Sequence, residues 1–266
     1  MSSLTPELAA SFPLGNFSMG TTLGAIYIGA TISAVFYGLT ILQTAAYYKL
    51  NHNDPWLFRY MVAILWVLDT LHVALTTHAL YFYLIKSFGN YFALLSVIWS
   101  FPLQLVFDML INISVQALYA VRIWKLGRHF DMVLPRFILV AVVASTSGTG
   151  FYMLYSIYTL ANFLDIPRIR VSIYIVFSMM VAADFTISGA MCFYLHKGRS
   201  MTSLSSTTRS IARLIWAVLI SGLLTSICYL LVLITYIVWP DTLIFIAVGA
   251  FILPKLYINS LLAMWV

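Results

Sequence analysis

The sequence predicts an all-α polytopic membrane protein: a bundle of seven transmembrane helices with its N-terminus outside and its C-terminus in the cytosol. Three observations carry this. Of 266 residues, 62% are hydrophobic and only 8% charged, with a mean hydropathy of +0.98. Soluble domains carry about 25% charged residues, and no water-soluble fold of this length has an interior large enough to hide so much apolar surface. Seven apolar runs are each long enough to cross a hydrocarbon core, which takes roughly 20 residues at 1.5 Å per residue. Basic residues, finally, concentrate in alternate breaks between the runs. The expected layout is a short outer segment over residues 1–20 and a transmembrane domain over 21–266.

The runs fall at about 21–48, 57–83, 93–121, 134–158, 171–195, 211–238 and 242–264. The first carries small residues at Ala25, Gly29 and Ser33 and again at Ala30, Ala34 and Gly38, a spacing that lets helices approach closely. Before the second, Asn53-Asp54-Pro55 offers an N-cap followed by proline at the first helical position. In the fourth, Ala144-Ser145-Thr146-Ser147-Gly148-Thr149-Gly150 suits a close-packed or kinked stretch whose freed backbone groups find Ser and Thr hydroxyls. Trp239-Pro240-Asp241 ends the sixth run, and Asp241 is placed to cap the seventh. Several runs exceed the minimum length, which permits tilt.

Orientation follows from the Lys and Arg of short loops. The breaks after runs one, three and five hold ten of them: Lys49, Arg59, Arg122, Lys125, Arg128, Arg136, Lys197, Arg199, Arg209 and Arg213. The opposite side holds Lys86, Arg168 and Arg170. The net charge of +6 is therefore a topology signal and no nucleic-acid patch is expected. The first twenty residues lack a basic segment leading into a short apolar core, so the first span is expected to act as the targeting signal, toward the plasma membrane or the secretory pathway. Asn16-Phe17-Ser18 is a glycosylation sequon on the expected outer side, whereas Asn112-Ile113-Ser114 lies inside a span. Cys192 and Cys228 sit in apolar runs, where neither a disulfide framework nor a thiolate metal site is expected. The basic breaks 122–136 and 197–213 are candidate surfaces for a cytosolic protein partner, and the hydroxyl-rich second one suits either phosphorylation or a solvated linker over anionic lipid.

Function, if legible, lies in the ionisable residues inside the spans. Asp69 and His72 are three residues apart on run two and so share a helical face. Half a hydrocarbon core is about ten helical residues, which places Asp69 on run two, Asp108 on run three, Asp184 on run five and Lys255 on run seven near one level. Facing lipid, each would cost roughly 2.5–3.5 kcal/mol, so all four are expected to turn inward and meet. Gln104, Asp108, Asn112 and Gln116 form an i, i+4 ladder on run three, Ser188 follows Asp184 by a turn, and Asn259 follows Lys255 by a turn. Pro254 removes a backbone donor, which leaves the Ala250 carbonyl free toward a cavity. Three carboxylates and one ammonium leave excess negative charge, so Lys255 is expected to pair with one Asp while others are neutralised by a proton, by His72 or by a bound cation. The expected ligand set is Asp69, His72, Gln104, Asp108, Asn112, Asp184, Ser188, Lys255 and Asn259. The alternative is that these residues are interhelical glue that fixes helix order.

The stretches Leu68-Asp69-Thr70-Leu71-His72, Thr225-Ser226-Ile227-Cys228, Pro240-Asp241-Thr242-Leu243-Ile244-Phe245 and Lys255-Leu256-Tyr257-Ile258-Asn259-Ser260-Leu261-Leu262-Ala263 resemble a family of seven-span proteins of mushroom-forming fungi, catalogued as a domain of unknown function. The resemblance implies seven helices and brings no activity and no site residues. Other seven-span signatures are missing: run three ends in Tyr119-Ala120-Val121-Arg122 and run seven reads Leu256-Tyr257-Ile258-Asn259. A retinal lysine at Lys255 is disfavoured by Phe251 four residues earlier, where microbial rhodopsins carry an acid. His72 and His78 lie on different faces and make no metal or haem pair; no metal and no cofactor is expected. Three readings follow. One is a receptor-like protein binding a small amphipathic or cationic ligand at mid-depth. Another is a membrane-embedded enzyme acting on a lipid or isoprenoid, with Asp69, Asp108 or Asp184 as general acid and Trp66, Trp99 and Trp216 as aromatic faces. The third is a proton-coupled transporter.

Overall fold

The computed structural model describes residues 19–52, 54–88, 93, 96–128, 133–159, 163–200, 205–239 and 244–264, with side chains described except at 19–22, 126, 163, 164, 167, 198–200 and 205–221. It is an all-helical membrane bundle. The helices are α1 (Met19–Leu50), α2 (Trp56–Lys86, its last turn Phe82–Lys86 wound as a π-helix), α3 (Ser100–Gly127), α4 (Val133–Tyr158), α5 (Arg170–Ser200), α6 (Ser205–Val238) and α7 (Ile244–Ala263). Among the described residues six of them are long and apolar enough to cross a membrane, and of α6 the stretch Gly222–Val238 is apolar but shorter. Burial runs inside out relative to a soluble protein. Ile28, Val35, Leu42, Phe137 and Val140 are exposed, while Asp69, His72, Gln104, Gln116 and Lys255 have no accessible surface at all. Lipid, not water, is the solvent that this pattern matches.

Each helix packs on the next, and α7 returns to α1, so the ring closes. Two helices run through its interior: α3 touches α2, α4, α5 and α7, and α7 touches α1, α2, α3 and α6. Small residues explain the tightest approach. A Cβ on Gly29 would lie 2.9 Å from both the Cβ and the backbone oxygen of Ala247, so α1 and α7 meet backbone to backbone there. Of the two small-residue rows on α1, only the first does this work: Gly29 and Ser33 are buried, whereas Ala34 and Gly38 face outward. The Ser/Thr-rich part of α4 is not a break. Thr146 and Thr149 turn their hydroxyls back onto Val142 and Ser145 carbonyls, at 2.9 Å each, and Gly150 opens room for Met109.

Three boundaries differ from the sequence expectation. α3 starts at Ser100, not near 93. Tyr83 pins the preceding strand of chain, its hydroxyl donating to Ser96 O at 2.9 Å and accepting from Ile98 N at 3.2 Å, and Pro102 is tolerated only because it falls in the first turn. Pro55 is the residue before α2 rather than its first, and no side chain caps it; Asp54 instead accepts from Tyr47 Oη at 2.9 Å. The basic break 197–213 is mostly helix, since α5 runs to Ser200 and α6 begins at Ser205. That segment holds no proline, so the helices simply continue past the apolar boundary. Between α4 and α5 a 3-10 helix, Phe163–Ile169, turns Ile166 and Ile169 inward. The Asn16 sequon and the caps expected at Asn53 and Asp241 lie outside the described residues.

The α1–α7 contact is testable. Replacing Gly29 by Ala should cost about 1–3 kcal/mol through forced separation of two backbones. Gly38→Ala, with open space around the new methyl, should stay within about 0.5 kcal/mol of the native protein. Thermal unfolding of both variants in detergent measures this, and equal midpoints would refute the contact.

Candidate functional site

The inward face of α2 is the stripe Val62, Leu65, Asp69, His72, Thr76 and Ala79, spaced at alternate threes and fours as one side of a helix requires. From this stripe Asp69 meets Lys255 of α7 in an ion pair between Nζ and Oδ1, with both side chains fully buried. Nζ also donates to the Asp69 backbone oxygen at 3.2 Å and lies 5.6 Å from the centre of the Tyr37 ring of α1. Three helices thus surround one ammonium group.

One turn further along α2, His72 reaches α7 through the backbone. In an α-helix the amide of residue 254 would bond the carbonyl of Ala250, but Pro254 has none. Around it α7 widens into a π-helix, Ala247–Ile252. The Ala250 carbonyl accepts instead from His72 Nε2 at 3.0 Å and from Gln104 Nε2 at 3.2 Å. Asp108 Oδ1 stands 2.8 Å from the same His72 nitrogen without being its hydrogen-bond acceptor. His72 Nε2 thus stands among the Ala250 carbonyl, the Gln104 amide at 3.3 Å and the Asp108 carboxyl.

Asp108 also borders a cavity of about 130 Å³ between α3, α4, α5, α6 and α7. Met109, Met153, Phe177 and Phe245 supply apolar wall, and Ile166 and Ile169 of the 3-10 helix close one end. Two other polar side chains face it, Asn112 and Tyr229. Asn112 Oδ1 is buried and has no hydrogen-bond partner among the described residues. Asp108, Asn112 and Tyr229 are thus the polar residues of an otherwise apolar lining.

Asp184 belongs to a different cluster. It accepts from Thr225 Oγ1 at 2.7 Å and from the Tyr257 hydroxyl, which in turn accepts from Gln116 Nε2 at 3.4 Å. The four ionisable groups expected to meet therefore divide in two. Lys255 and Tyr257 are two residues apart on α7, roughly 200° around the helix, so one faces α2 while the other faces α5 and α6. Of the expected ligand set, Asp108 and Asn112 border the large cavity, Asp184 and Ser188 a small cleft, and Asp69, His72, Gln104 and Lys255 are packed in helix contacts. Asn259 donates to Phe36 O and Thr40 Oγ1, both at 3.1 Å, and ties α7 to α1. Trp66 and Trp99 face outward, away from the cavity, and the side chain of Trp216 lies outside the described residues. Tyr229, Thr225 and Tyr257 were not singled out from sequence. Among 17 tyrosines none stands out, but the polar pair Thr225-Ser226 inside an apolar run was a usable signal.

Because both members of the Asp69–Lys255 pair are desolvated, breaking it should be far costlier than removing it. Lys255→Met should destabilise by about 3–5 kcal/mol, and the combined Asp69→Leu/Lys255→Met variant should recover most of that. Detergent unfolding midpoints of the three proteins decide the point: additive losses would mean that the two groups do not interact.

Residues 180–265 match the model of a family described as of unknown function, DUF6534. The match takes in most of α5 with all of α6 and α7, hence Asp184, Thr225, Lys255 and Tyr257, and stops short of the Leu68–His72 stretch. It attaches no activity to them. No curated protein and no solved structure matches the chain.

Proposed function

We propose that the protein is a receptor-like seven-span membrane protein whose cavity between α3 and α7 binds a small amphipathic ligand with a cationic or hydrogen-bond-donating end. One observation carries the reading: three polar residues, Asp108, Asn112 and Tyr229, line an otherwise apolar cavity of about 130 Å³. A cavity of roughly 150 Å³ lined by apolar residues holds a molecule of benzene size. The ligand class that follows is a single-ring or short-chain amine, its ammonium on Asp108 and its apolar body against Met109, Met153 and Phe177.

The orientation proposed is N-terminus outside. Its support is the excess of basic residues at the end of the bundle where α1, α3 and α5 finish. There Lys125 lies 4.3 Å over the Phe58 ring, Arg59 5.4 Å over Tyr48 and Lys197 6.0 Å over Phe193, the arrangement of basic side chains reaching out of an apolar layer. With that orientation the cavity lies in the outer half, and the helical extensions 122–127 and 197–200 face a cytosolic partner.

Two experiments test this. In intact cells an N-terminal epitope should be accessible to antibody and a C-terminal one only after permeabilisation; the reverse pattern refutes the orientation. For the cavity, benzylamine should raise the unfolding temperature of the purified protein. Asp108→Asn should weaken that response about 10–100-fold while leaving any response to toluene in place. Equal benzylamine affinity in native and Asp108→Asn protein refutes the site.

A further inference from the structure

The cluster around Asp184 is left unused by the cavity and raises a question of charge. Asp69 is balanced by Lys255, and Asp108 stands against His72. Asp184 is 5% exposed, and among the described residues its partners are two hydroxyls and no cation. Those hydroxyls are oriented as donors to an ionised carboxylate: Tyr257 Oη already accepts from Gln116 Nε2, so its own proton is free for Asp184 Oδ1. A buried carboxylate with full charge and only neutral partners is too costly to stand alone in a bilayer interior.

Beside it lies a cleft of about 20 Å³, room for a single water-sized occupant. Every polar side chain lining the cleft ends in oxygen: Asp184, Thr225, Tyr257, Ser188, Tyr119 and Ser260. Ser260 Oγ donates to Tyr257 O at 2.9 Å and lies 3.4 Å from Tyr119 Oη, and the Thr225 and Tyr257 hydroxyls donate to Asp184, so the oxygens around the cleft are held in place by one another. Oxygen ligands without nitrogen or sulfur select a hard cation. A single carboxylate balances one positive charge, calcium needs six to eight oxygens, and magnesium keeps waters for which there is no space. We propose that Asp184 is the carboxylate of a sodium-ion site set between α3, α5, α6 and α7. Gly222 is part of its construction. A Cβ at that position would fall 1.9 Å from Ser188 Oγ, so glycine is what lets the Ser188 hydroxyl occupy the cleft.

The test uses the full chain, purified in detergent, with sodium, potassium or choline chloride at one ionic strength. Sodium should raise the unfolding temperature saturably by a few degrees, with potassium and choline flat. Asp184→Asn should lose the sodium response, and Gly222→Ala, which displaces Ser188 but keeps the carboxylate, should shift half-saturation at least several-fold upward. Identical curves in the three salts overturn the proposal. So does a sodium response that survives in Asp184→Asn, or a stability that follows pH alone, which would make a proton the balancing charge. If Asp184→Asn does not fold, Thr225→Val and Gly222→Ala give the same reading, and an unshifted sodium midpoint in both overturns the site.

Discussion

A lysine ammonium cannot stay in the middle of a bilayer without a counter-charge, and in this protein that constraint fixes how α2, α3 and α7 stand together. Lys255 is fully buried and surrounded by α1, α2 and α7. Once it is paired with Asp69, the register between α2 and α7 is set, and His72, one turn along, falls opposite the Ala250 carbonyl that Pro254 leaves without its helical partner. Gln104 and Asp108 join from α3. The pair gives specificity of arrangement more than stability, since desolvation consumes most of its attraction.

Around this junction the polar residues separate by task. Those between α2, α3 and α7 bond across the helix contacts, Lys255 to Asp69 and His72 and Gln104 to the Ala250 carbonyl, while Asp69 Oδ2, His72 Nδ1 and Gln104 Oε1 stay without a hydrogen-bond partner among the described residues. Those on the far side of α3, Asp108 and Asn112, together with Tyr229 of α6, border open space. Asp184 is supplied with hydroxyls alone. The helix junction, the cavity and the Asp184 cluster thus occupy three adjoining regions of one interior, and Asp108, in contact with His72 and with the cavity, is the residue that borders two of them.

Much of this was legible in the sequence because the bilayer is an unforgiving solvent. Apolar run length gave the helices, and the rarity of charge marked Asp69, Asp108, Asp184 and Lys255 as inward-facing. The free carbonyl at Ala250 followed from Pro254 alone. What could not be read was rotation between helices. Depth is one coordinate, and residues at one depth on four helices meet only if their faces agree; Asp184 turned toward Thr225 and Tyr257 instead. The start of α3 was hidden for a similar reason, because residues 93–99 are apolar enough to count as span while the Tyr83 hydroxyl holds the backbone at Ser96 and Ile98 ahead of the helix. Long polar extensions of α5 and α6 escaped a reading based on hydropathy, which sees where lipid ends but not where winding ends.

The π-wound turn at Ala247–Ile252 sets the phase of everything that follows it on α7. A residue more or fewer in that turn corresponds to a rotation of about 100° and a slide of 1.5 Å for the segment beyond. Tightened to ordinary α geometry, α7 would swing Lys255 away from Asp69 and Tyr257 away from Asp184 in a single screw motion. The second half of the helix is therefore indexed by one loose turn, and the side chains gripping Ala250 O are the pawl that keeps it from slipping a notch.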